Sequence, residues 1–287
     1  MKENLLISGN LAKDIYDGEE EYGGSAANLA LAARRLGINV GIMSVLGNDD
    51  FSKRYRDYLL ENGVDLSLTS QCLETLPVCE IMSKENSISS CLWEDNGCEQ
   101  AMGELNIDID SIGKYDMTHL VCCPPKLVSK FLPLKSNLSY EPGQMVVDDQ
   151  SYFDLTMAKQ SSLIFLNEEE YLAVSEDLNT AFLSSSSFSK LMALVVTVGE
   201  SGSILYQIND GQTTSRKFPP SSLLGEFVDP TGAGDNFKAG FLTGLLKGRS
   251  LEDCIQIGSD MGAAVLSLQG GILPESIIEK IRIKYNL

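Results

Sequence analysis

The sequence predicts an α/β fold built on a doubly wound, mostly parallel β-sheet flanked by helices, and two observations lead to this prediction. First, short apolar segments that read as strands alternate with helical patterns along the whole chain. Second, glycine and polar clusters follow the predicted strands, where ligands of such sheets bind. Strand–helix alternation favours parallel strands joined by right-handed crossovers. With no internal repeat, the 287 residues fit one domain, 1–287.

The individual elements follow from local patterns. Apolar residues recur at helical spacing from residue 26 to residue 36 and stop at Gly37, a residue typical of helix C-termini. A polar turn at residues 84–87 predicts a hairpin, and this hairpin interrupts the alternation. Residues 17–21 are acidic and turn-like, and residues 184–187 are typical of a polar loop. Strands are predicted at residues 5–8, 40–45, 78–83, 88–93, 118–122, 145–147, 163–166 and 193–198.

Charge narrows the classes of partner. The chain carries 40 acidic and 22 basic residues, for a net charge of −18. Nucleic acid and anionic membranes need a basic surface, so neither is an expected partner. The N-terminus leads directly into a strand without a signal-like segment, and no apolar run reaches transmembrane length. We therefore expect a cytoplasmic protein.

Cysteine and histidine usage excludes several chemistries. Seven cysteines form no C-x-x-C pair, and His119 is the only histidine. A zinc site of the usual Cys/His type lacks its histidine ligands, and the single histidine also removes Ser-His-Asp and Cys-His catalysis from the candidates. We expect free, partly buried thiols in a reducing compartment.

The stretch at residues 228–237, VDPTGAGDNF, is the strongest chemical motif. Gly232 and Gly234 flank Ala233, so successive N–H groups can turn inward, and the following apolar pattern predicts a helix that begins near Asp235. Amides at a helix N-terminus bind anions. A carboxylate there repels phosphate, but it suits a base for a hydroxyl that attacks a bound phosphorus. A glycine-rich turn with Asp235 as an ordinary N-cap is the alternative.

Three further motifs accompany this stretch. Residues 23–28 read GGSAAN, residues 167–170 read NEEE, and residues 196–203 read VTVGESGS. Together with residues 229–235, and in this order, they resemble the motifs of the ribokinase (PfkB) family of carbohydrate and nucleoside kinases. The resemblance spans nearly the full chain and implies a ribokinase-like fold and phosphoryl transfer from ATP. No G-x-x-x-x-G-K-[ST] motif is present, which excludes a P-loop enzyme.

The resemblance implies a role for each matching residue. Asp235 would take the proton of a substrate primary hydroxyl, while the amides of Gly232, Ala233 and Gly234 would stabilise charge on the transferring group. The residues implied to bind substrate are Asp14, Gly23, Gly24 and Asn28. Those implied to bind the nucleotide are Thr197, Gly199, Gly202 and Thr231. Asn167 and Glu170 would hold the water shell of Mg²⁺, and Asp229 would lie beside a possible K⁺ ion.

Two departures from the family pattern affect the expected lid. Only eight residues separate Asp14 from Gly23, where relatives usually carry a longer segment. The residues after the second strand, 47–51, match the family's usual D-x-x-G only approximately. We expect a small β lid formed by about residues 11–22 and 74–98, with the 78–93 hairpin as its main part. Such lids often pair between subunits, so a homodimer is possible.

The leading hypothesis is an ATP-dependent sugar kinase acting on a primary hydroxyl. A nucleoside kinase and a sugar-amine (fructosamine-type) kinase remain open as alternatives within the same class. A non-catalytic paralogue that binds a sugar or nucleotide is the alternative of another class. An intact residue set at 232–235 favours the enzyme, because a sensor has no need of a base.

Overall fold

The computed structural model describes residues 3–84, 87–134, 137–183, 188–209 and 212–287. The chain forms two compact units, one of residues 1–102 and 221–287 and the other of residues 103–220. The polar loop predicted at residues 184–187 lies outside the described residues. Among the described helices, none combines the length and the hydropathy that a membrane span requires.

The first unit contains parallel strands, a separate small sheet and a group of packed helices. Strand β1 (Asn4–Gly9) pairs in parallel with β4 (Asn39–Met43). Short strands β5 (Val45–Leu46) and β6 (Ser70–Gln71) form their own pair. The helices of this unit are α1 (Ser25–Arg35), α2 (Asp50–Glu61), α3 (Cys98–Gly103, ending at the unit boundary), α9 (Ala233–Leu246), α10 (Leu251–Val265) and α11 (Glu275–Tyr285).

The small sheet has four strands in the order β3-β2-β7-β8. They are β2 (Ala12–Tyr16), β3 (Glu19–Gly23), β7 (Val78–Lys84) and β8 (Ser87–Glu94). The antiparallel pairing of β7 with β8 confirms the predicted hairpin, while residues 85–86 of its predicted turn lie outside the described residues. The prediction of a turn through residues 17–21 is wrong beyond Gly18, because residues 19–21 form edge strand β3. Three consecutive glutamates are compatible with an edge strand, where charged side chains discourage further pairing.

The second unit carries six strands in the order β14-β13-β12-β11-β10-β9. Strands β9 (Met117–Val121), β10 (Asn137–Glu141), β11 (Leu163–Asn167) and β12 (Ala193–Thr197) are parallel, and β13 (Ser203–Asn209) and β14 (Gln212–Phe218) are antiparallel additions. The helices are α4 (Ile109–Ile112), α5 (Pro125–Val128), α6 (Met145–Asp148), α7 (Leu155–Gln160) and α8 (Glu168–Leu183). The mostly parallel α/β fold predicted from the sequence is confirmed.

One strand prediction is wrong. Residues 145–147 lie in the helical turn α6, and the strand of this region is β10. A run of three apolar residues cannot be assigned to helix or strand by periodicity alone. Here Val146 is buried while Val147 is 44% exposed, as on a helical turn.

The expectation that all cysteines are free thiols is also incorrect. Cys72, Cys98, Cys122, Cys123 and Cys254 are free, but Cys79 is disulfide-bonded. Cys79 lies on β7 in the small sheet, where its side chain packs with Tyr16 and Ile81.

Candidate active site

The turn that begins α9 is held by close backbone contacts. Gly232 is the N-cap residue and has a left-handed backbone with φ of 73°. A Cβ at this position would lie 2.4 Å from the Cα of Gly271, so glycine is required both by conformation and by space. The side-chain amide of Asn236 donates to the carbonyl oxygens of Gly232 and Gly271 at 2.9 and 2.8 Å. The turn is therefore fixed before any ligand arrives.

The amides of this turn differ in what they contact. The N–H of Ala233 donates to the carbonyl of Pro230 at 3.2 Å. The N–H groups of the first helical turn have no acceptor within the helix, because the carbonyls that would pair with them precede it. A Cβ on Gly234 would meet the Nζ of Lys238 only at 3.9 Å, which is ordinary contact. Of the predicted anion-binding amides, that of Ala233 already has a partner.

Asp235 occupies the third helical position of α9 and its side chain does not cap the helix. The carboxylate is buried and accepts a hydrogen bond from Nδ2 of Asn28 at 3.0 Å. Its other oxygen lies 3.2 Å from the ammonium of Lys238. The N-cap residue is Gly232, so the alternative of Asp235 as an ordinary N-cap is wrong.

Asp14 projects from β2 into a space that a glycine leaves open. A Cβ on Gly23 would lie 2.1 Å from the Cγ of Asp14, so any larger residue at 23 would displace the carboxylate. Asp14 is directly opposite Glu21 in the β2–β3 pair, which places both side chains on one face. Burial, followed by the charges of Asp235, Glu21 and Asp229, raises the pKa of Asp14 to about 7. Asp14 is therefore part of a cluster of carboxylates.

Asn28 links this cluster to the helices. It lies on α1, which follows Gly24, a residue with φ of 96° whose Cβ would lie 2.7 Å from the carbonyl of Asn10. The side chain is 3% exposed, and its Oδ1 has no hydrogen-bond partner among the described residues. Buried acceptors of this kind normally have a partner. The Oδ1 of Asn28 is thus available to accept a hydrogen bond from a bound hydroxyl.

The carboxylate of Asp229 is surrounded by donors. Oδ1 accepts from the N–H and the hydroxyl of Thr231, and Oδ2 accepts from the hydroxyl of Tyr16 at 2.7 Å and from the N–H of Gly270 at 2.9 Å. Burial alone would raise the pKa of Asp229, but these hydrogen bonds hold it below its ordinary value. Four donors fill the acceptor sites of a carboxylate. The carboxylate therefore has little capacity left to bind a cation directly, and a K⁺ ion beside Asp229 stays a prediction.

Asn167 and Glu170 face each other across the first turn of α8. Oδ1 of Asn167 accepts from the N–H of Glu170 at 2.8 Å, and Oε2 of Glu170 accepts from the N–H of Asn167 at 2.9 Å. This reciprocal arrangement is a capping box. Amide and carboxylate oxygens are the hard ligands that suit the hydrated Mg²⁺ ion. Among the described residues, no group of three His, Cys, Asp or Glu side chains is placed to bind a metal directly.

The predicted nucleotide residues of the second unit form a tight turn between β12 and β13. Thr197 ends β12 and pairs with Ser203. Gly199 and Gly202 both have positive φ, of 53° and 88°. A Cβ on Gly202 would lie 2.1 Å from the carbonyl of Phe218, so this glycine is needed by the fold itself. The fourth predicted nucleotide residue, Thr231, belongs to the first unit and contacts Asp229.

A cavity of about 320 Å³ lies beside this site in the first unit. Its wall includes Glu21, Tyr22, Phe51, Arg54 and the segment 269–272. The segment 269–272 connects the cavity to the site, because a Cβ on Gly271 would overlap the side chain of Asn28 at 2.4 Å. The cavity therefore adjoins the residues around Asp235.

Sequence reasoning missed several residues of the site. Lys238 lies within the helix that the apolar pattern predicts, and that pattern assigns no role to its charge. Tyr16 and Gly270 contact Asp229 from far along the chain, Tyr16 being 213 residues away. The strand pairing that opposes Glu21 to Asp14 was hidden by the turn prediction. Only Lys238 carried a local signal, a basic residue three positions after the predicted base.

Comparisons with known proteins identify the family of this chain. Residues 2–278 match the model of the pfkB family of carbohydrate kinases. The chain is 30% identical over 270 residues to a nucleoside kinase of Methanocaldococcus jannaschii, covering 91% of this chain and 84% of that protein. It is 29% identical to a cytidine kinase of Thermococcus kodakarensis, covering 93% and 97% of the two chains.

A solved structure gives the same fold. The crystal structure of the M. jannaschii nucleoside kinase, an archaeal member of the ribokinase family, superposes with a TM-score of 0.79 at 24% identity and covers 98% of each chain. Kinases of the pfkB family use ATP. Because the family model covers almost the whole sequence, this chain belongs to the pfkB family of carbohydrate kinases and is a phosphotransferase.

Proposed function

We propose that this protein transfers the γ-phosphoryl group of ATP to a primary hydroxyl of a nucleoside or a small sugar, with Asp235 as the base. The observation that carries the proposal is the carboxylate of Asp235, which is buried at the start of α9 and bonded to Asn28 and Lys238 rather than to helix amides. A carboxylate that has no capping role beside an anion-binding helix start suits proton removal from an attacking hydroxyl.

The chemistry needs only these groups in place. As the acceptor oxygen attacks the γ-phosphorus, its proton passes to the Asp235 carboxylate, and the bond from the γ-phosphorus to the bridging oxygen breaks with its electron pair leaving on ADP. The N–H groups of Gly232 and Gly234, at the positive end of α9, would stabilise the charge on the transferring group. Phosphoryl transfer depends mainly on such positioning and charge stabilisation.

Asp14 and Asn28 would bind the acceptor's hydroxyls. The buried Oδ1 of Asn28 is an acceptor without a partner, and Asp14 lies in the space left by Gly23. Asn28 is hydrogen-bonded to Asp235, and Asp14 lies close enough for the charge of Asp235 to raise its pKa. Hydroxyls bound to these two residues would therefore lie near the base. The adjoining cavity of about 320 Å³ would take the rest of the acceptor.

The charge of the site favours an uncharged acceptor. The carboxylates of Asp235, Glu21 and Asp229 lie near Asp14, because their charges, together with burial, raise its pKa. An anionic acceptor such as a sugar phosphate would be repelled by such a cluster. Nucleosides are our preferred acceptors, because the similar curated proteins named above are nucleoside kinases. The same carboxylates would favour a sugar amine, which is the second candidate.

The nucleotide would bind through Thr197, Gly199, Gly202 and Thr231, as the resemblance to the family's motifs implies. Asn167 and Glu170 would hold the water shell of Mg²⁺, and the ion would neutralise charge on the phosphates. The capping box uses Oδ1 of Asn167 and Oε2 of Glu170 for backbone amides. A carboxylate can accept further hydrogen bonds, so contact with a metal-bound water is compatible with this geometry.

The small sheet would act as the lid and would offer a surface for pairing two copies. Trp93 packs against the cluster of Tyr16, Cys79 and Ile81 within this sheet. We expect acceptor binding to change the emission of this single tryptophan more than ATP alone does.

Met82 and Leu92 are 47% and 60% exposed, which supports a dimer through this sheet. A monomer in light scattering would contradict the dimer. Unchanged tryptophan emission with a bound acceptor would contradict the lid.

A coupled ADP-release assay over nucleosides, pentoses, hexoses and sugar amines tests the proposed function. We expect the highest kcat/KM with a nucleoside, little activity with sugar phosphates, and phosphate on the primary hydroxyl of the product. Asp235→Asn is the matched control for contaminating kinases. Equal ADP release by wild type and Asp235→Asn, or preference for a sugar phosphate, would contradict the proposal.

A further inference from the structure

Lys238 is a buried cation beside the base. Its side chain is 6% exposed, and Nζ lies 3.2 Å from Oδ1 of Asp235, one helical turn earlier on α9. Fully buried lysines are rare because the ammonium loses its hydration. The same ammonium lies next to Gly234, whose added Cβ would be 3.9 Å away. The ammonium of Lys238 therefore lies at the start of α9, beside Gly234 and Asp235.

The surroundings of Asp235 explain what a cation does there. From α1, Asn28 donates to Oδ2, and from α9 Lys238 pairs with Oδ1. Asp14 on β2, Asp229 before α9 and Glu21 on β3 add three carboxylates. The charges of Asp235, Glu21 and Asp229 act on Asp14. Like charges this close in a buried site oppose one another's ionisation, and the raised pKa of Asp14 shows this effect.

We propose that Lys238 is a positioning residue whose buried ammonium holds Oδ1 of Asp235 and stabilises its charge against the neighbouring carboxylates, so that the base stays ready. This inference rests on the proposed function of Asp235. When Asp235 takes the proton of the acceptor hydroxyl, the ammonium of Lys238 remains charged, and the proton on Asp235 later passes to solvent. Asn28 alone, a neutral donor, would not select between the carboxyls.

The test compares Lys238→Met with Lys238→Arg over a range of pH. Losing a cation at this distance raises the pKa of a carboxyl by roughly one to three units. The acidic limb of kcat/KM should therefore move to higher pH by about one unit or more in Lys238→Met, with roughly a tenfold loss at pH values on the limb. Lys238→Arg should keep the wild-type limb. Lys247→Met, which removes the partner of Glu3 at the end of α9, is the control.

A double-mutant cycle separates this role from a structural one. In an Asp235→Asn background, Lys238→Met should cause no further loss of rate, because the charge that it serves is gone. Losses that multiply in the double variant, or a lower rate with an unmoved pH limb, would overturn the inference while leaving the proposed function intact.

The pH dependence of unfolding tests the inference without enzymatic turnover, so it remains a test even if the proposed function is wrong. In urea unfolding, the stability of Lys238→Met should fall more steeply than that of wild type as pH rises above 4, because a buried carboxyl that has lost its cation binds a proton more readily in the folded state. The Asp235→Asn/Lys238→Met variant should lose that extra slope. Parallel slopes for wild type and Lys238→Met would contradict the inference even if no acceptor is phosphorylated. If Lys238→Met does not fold, Lys238→Gln takes its place.

Discussion

The starts of α9 and α8 carry the same chemical pattern and use it differently. Each has an acidic residue at the third helical position, Asp235 in α9 and Glu170 in α8. In α8 the carboxylate of Glu170 returns to the N–H of Asn167 and closes a capping box. In α9 the N-cap is Gly232, which has no side chain. Asp235 contacts Asn28 of helix α1 and Lys238 on the next turn of α9.

The difference shows what separates a structural carboxylate from a chemical one. A helix start that caps itself uses its acid on its own amides. A start with glycine at the N-cap leaves the amides of the first turn to other acceptors, and the acid is held instead by Lys238 of the same helix and by Asn28 of another helix. The sequence pattern alone does not distinguish the two, because both acids lie three residues after the N-cap. The partners of the side chains do.

Matched isosteric substitutions should show the largest effect. Asp235→Asn removes the base and should lower kcat by roughly 10²–10⁴-fold, the usual contribution of a positioned general base. Glu170→Gln retains the capping box, since glutamine serves at that position, and should change kcat by less than about tenfold at saturating Mg²⁺. Steady-state rates with the same acceptor make the comparison. Similar losses in both variants would erase the distinction between the two helix starts.

The carboxylate cluster around α9 should make stability depend on pH. Because the pKa of Asp14 is raised from 3.8 to about 7, the folded state binds more protons than the unfolded state between these values. The stabilisation is complete below about pH 4 and is lost as pH rises through 7, at a cost of roughly 2–4 kcal/mol. Asp14→Asn should lack this part of the pH dependence. Urea unfolding at several pH values measures the difference, and identical curves would remove Asp14 from the cluster.

The two glycines of the α9 start should respond differently to alanine. Gly232→Ala meets both a left-handed backbone and Gly271, and should cost at least about 1–2 kcal/mol of unfolding free energy. Gly234→Ala meets only the distant Nζ of Lys238 and should change stability by less than about 1 kcal/mol. A larger side chain, as in Gly234→Val, should instead block phosphate and abolish activity in a folded protein. An active Gly234→Val enzyme would refute the anion-binding role.

The smallest effect is expected in metal dependence. Glu170→Gln removes a charge from the proposed water shell of Mg²⁺ and should raise the metal concentration for half-maximal rate by a few-fold. Its unfolding free energy should stay within about 1 kcal/mol of wild type, because the cap persists. An unchanged metal requirement would assign Glu170 to capping alone.

Local patterns in the sequence predicted most of the fold. The helix that ends before Gly37 and the strand before Asn167 are set by apolar spacing and by end signals within a few residues. The error at residues 145–147 arose where three apolar residues fit a helical turn as well as a strand. Strand β3 was missed because three glutamates resemble a turn, while its pairing with β2 depends on tertiary structure.

The site was predicted only as far as its motifs extend. Strand ends and glycine-rich segments indicate Asp14, Asn28 and Asp235 as site residues. The structure brings Asn28 and Asp235 into contact. Contacts between distant segments, such as that of Tyr16 with Asp229, leave no local pattern. They also set how many acceptor positions of a side chain stay open, since four donors bond to the carboxylate of Asp229.

Binding and transfer measured separately in Asp235→Asn test the central claim most directly. Calorimetry should give dissociation constants for ATP and for the acceptor within a few-fold of wild type, because the variant retains the shape of the site. Single-turnover transfer of the γ-phosphoryl group should be slower by roughly 10²–10⁴-fold. If transfer proceeds at the wild-type rate, or if binding is lost to the same extent as the rate, Asp235 is a structural residue and not the base.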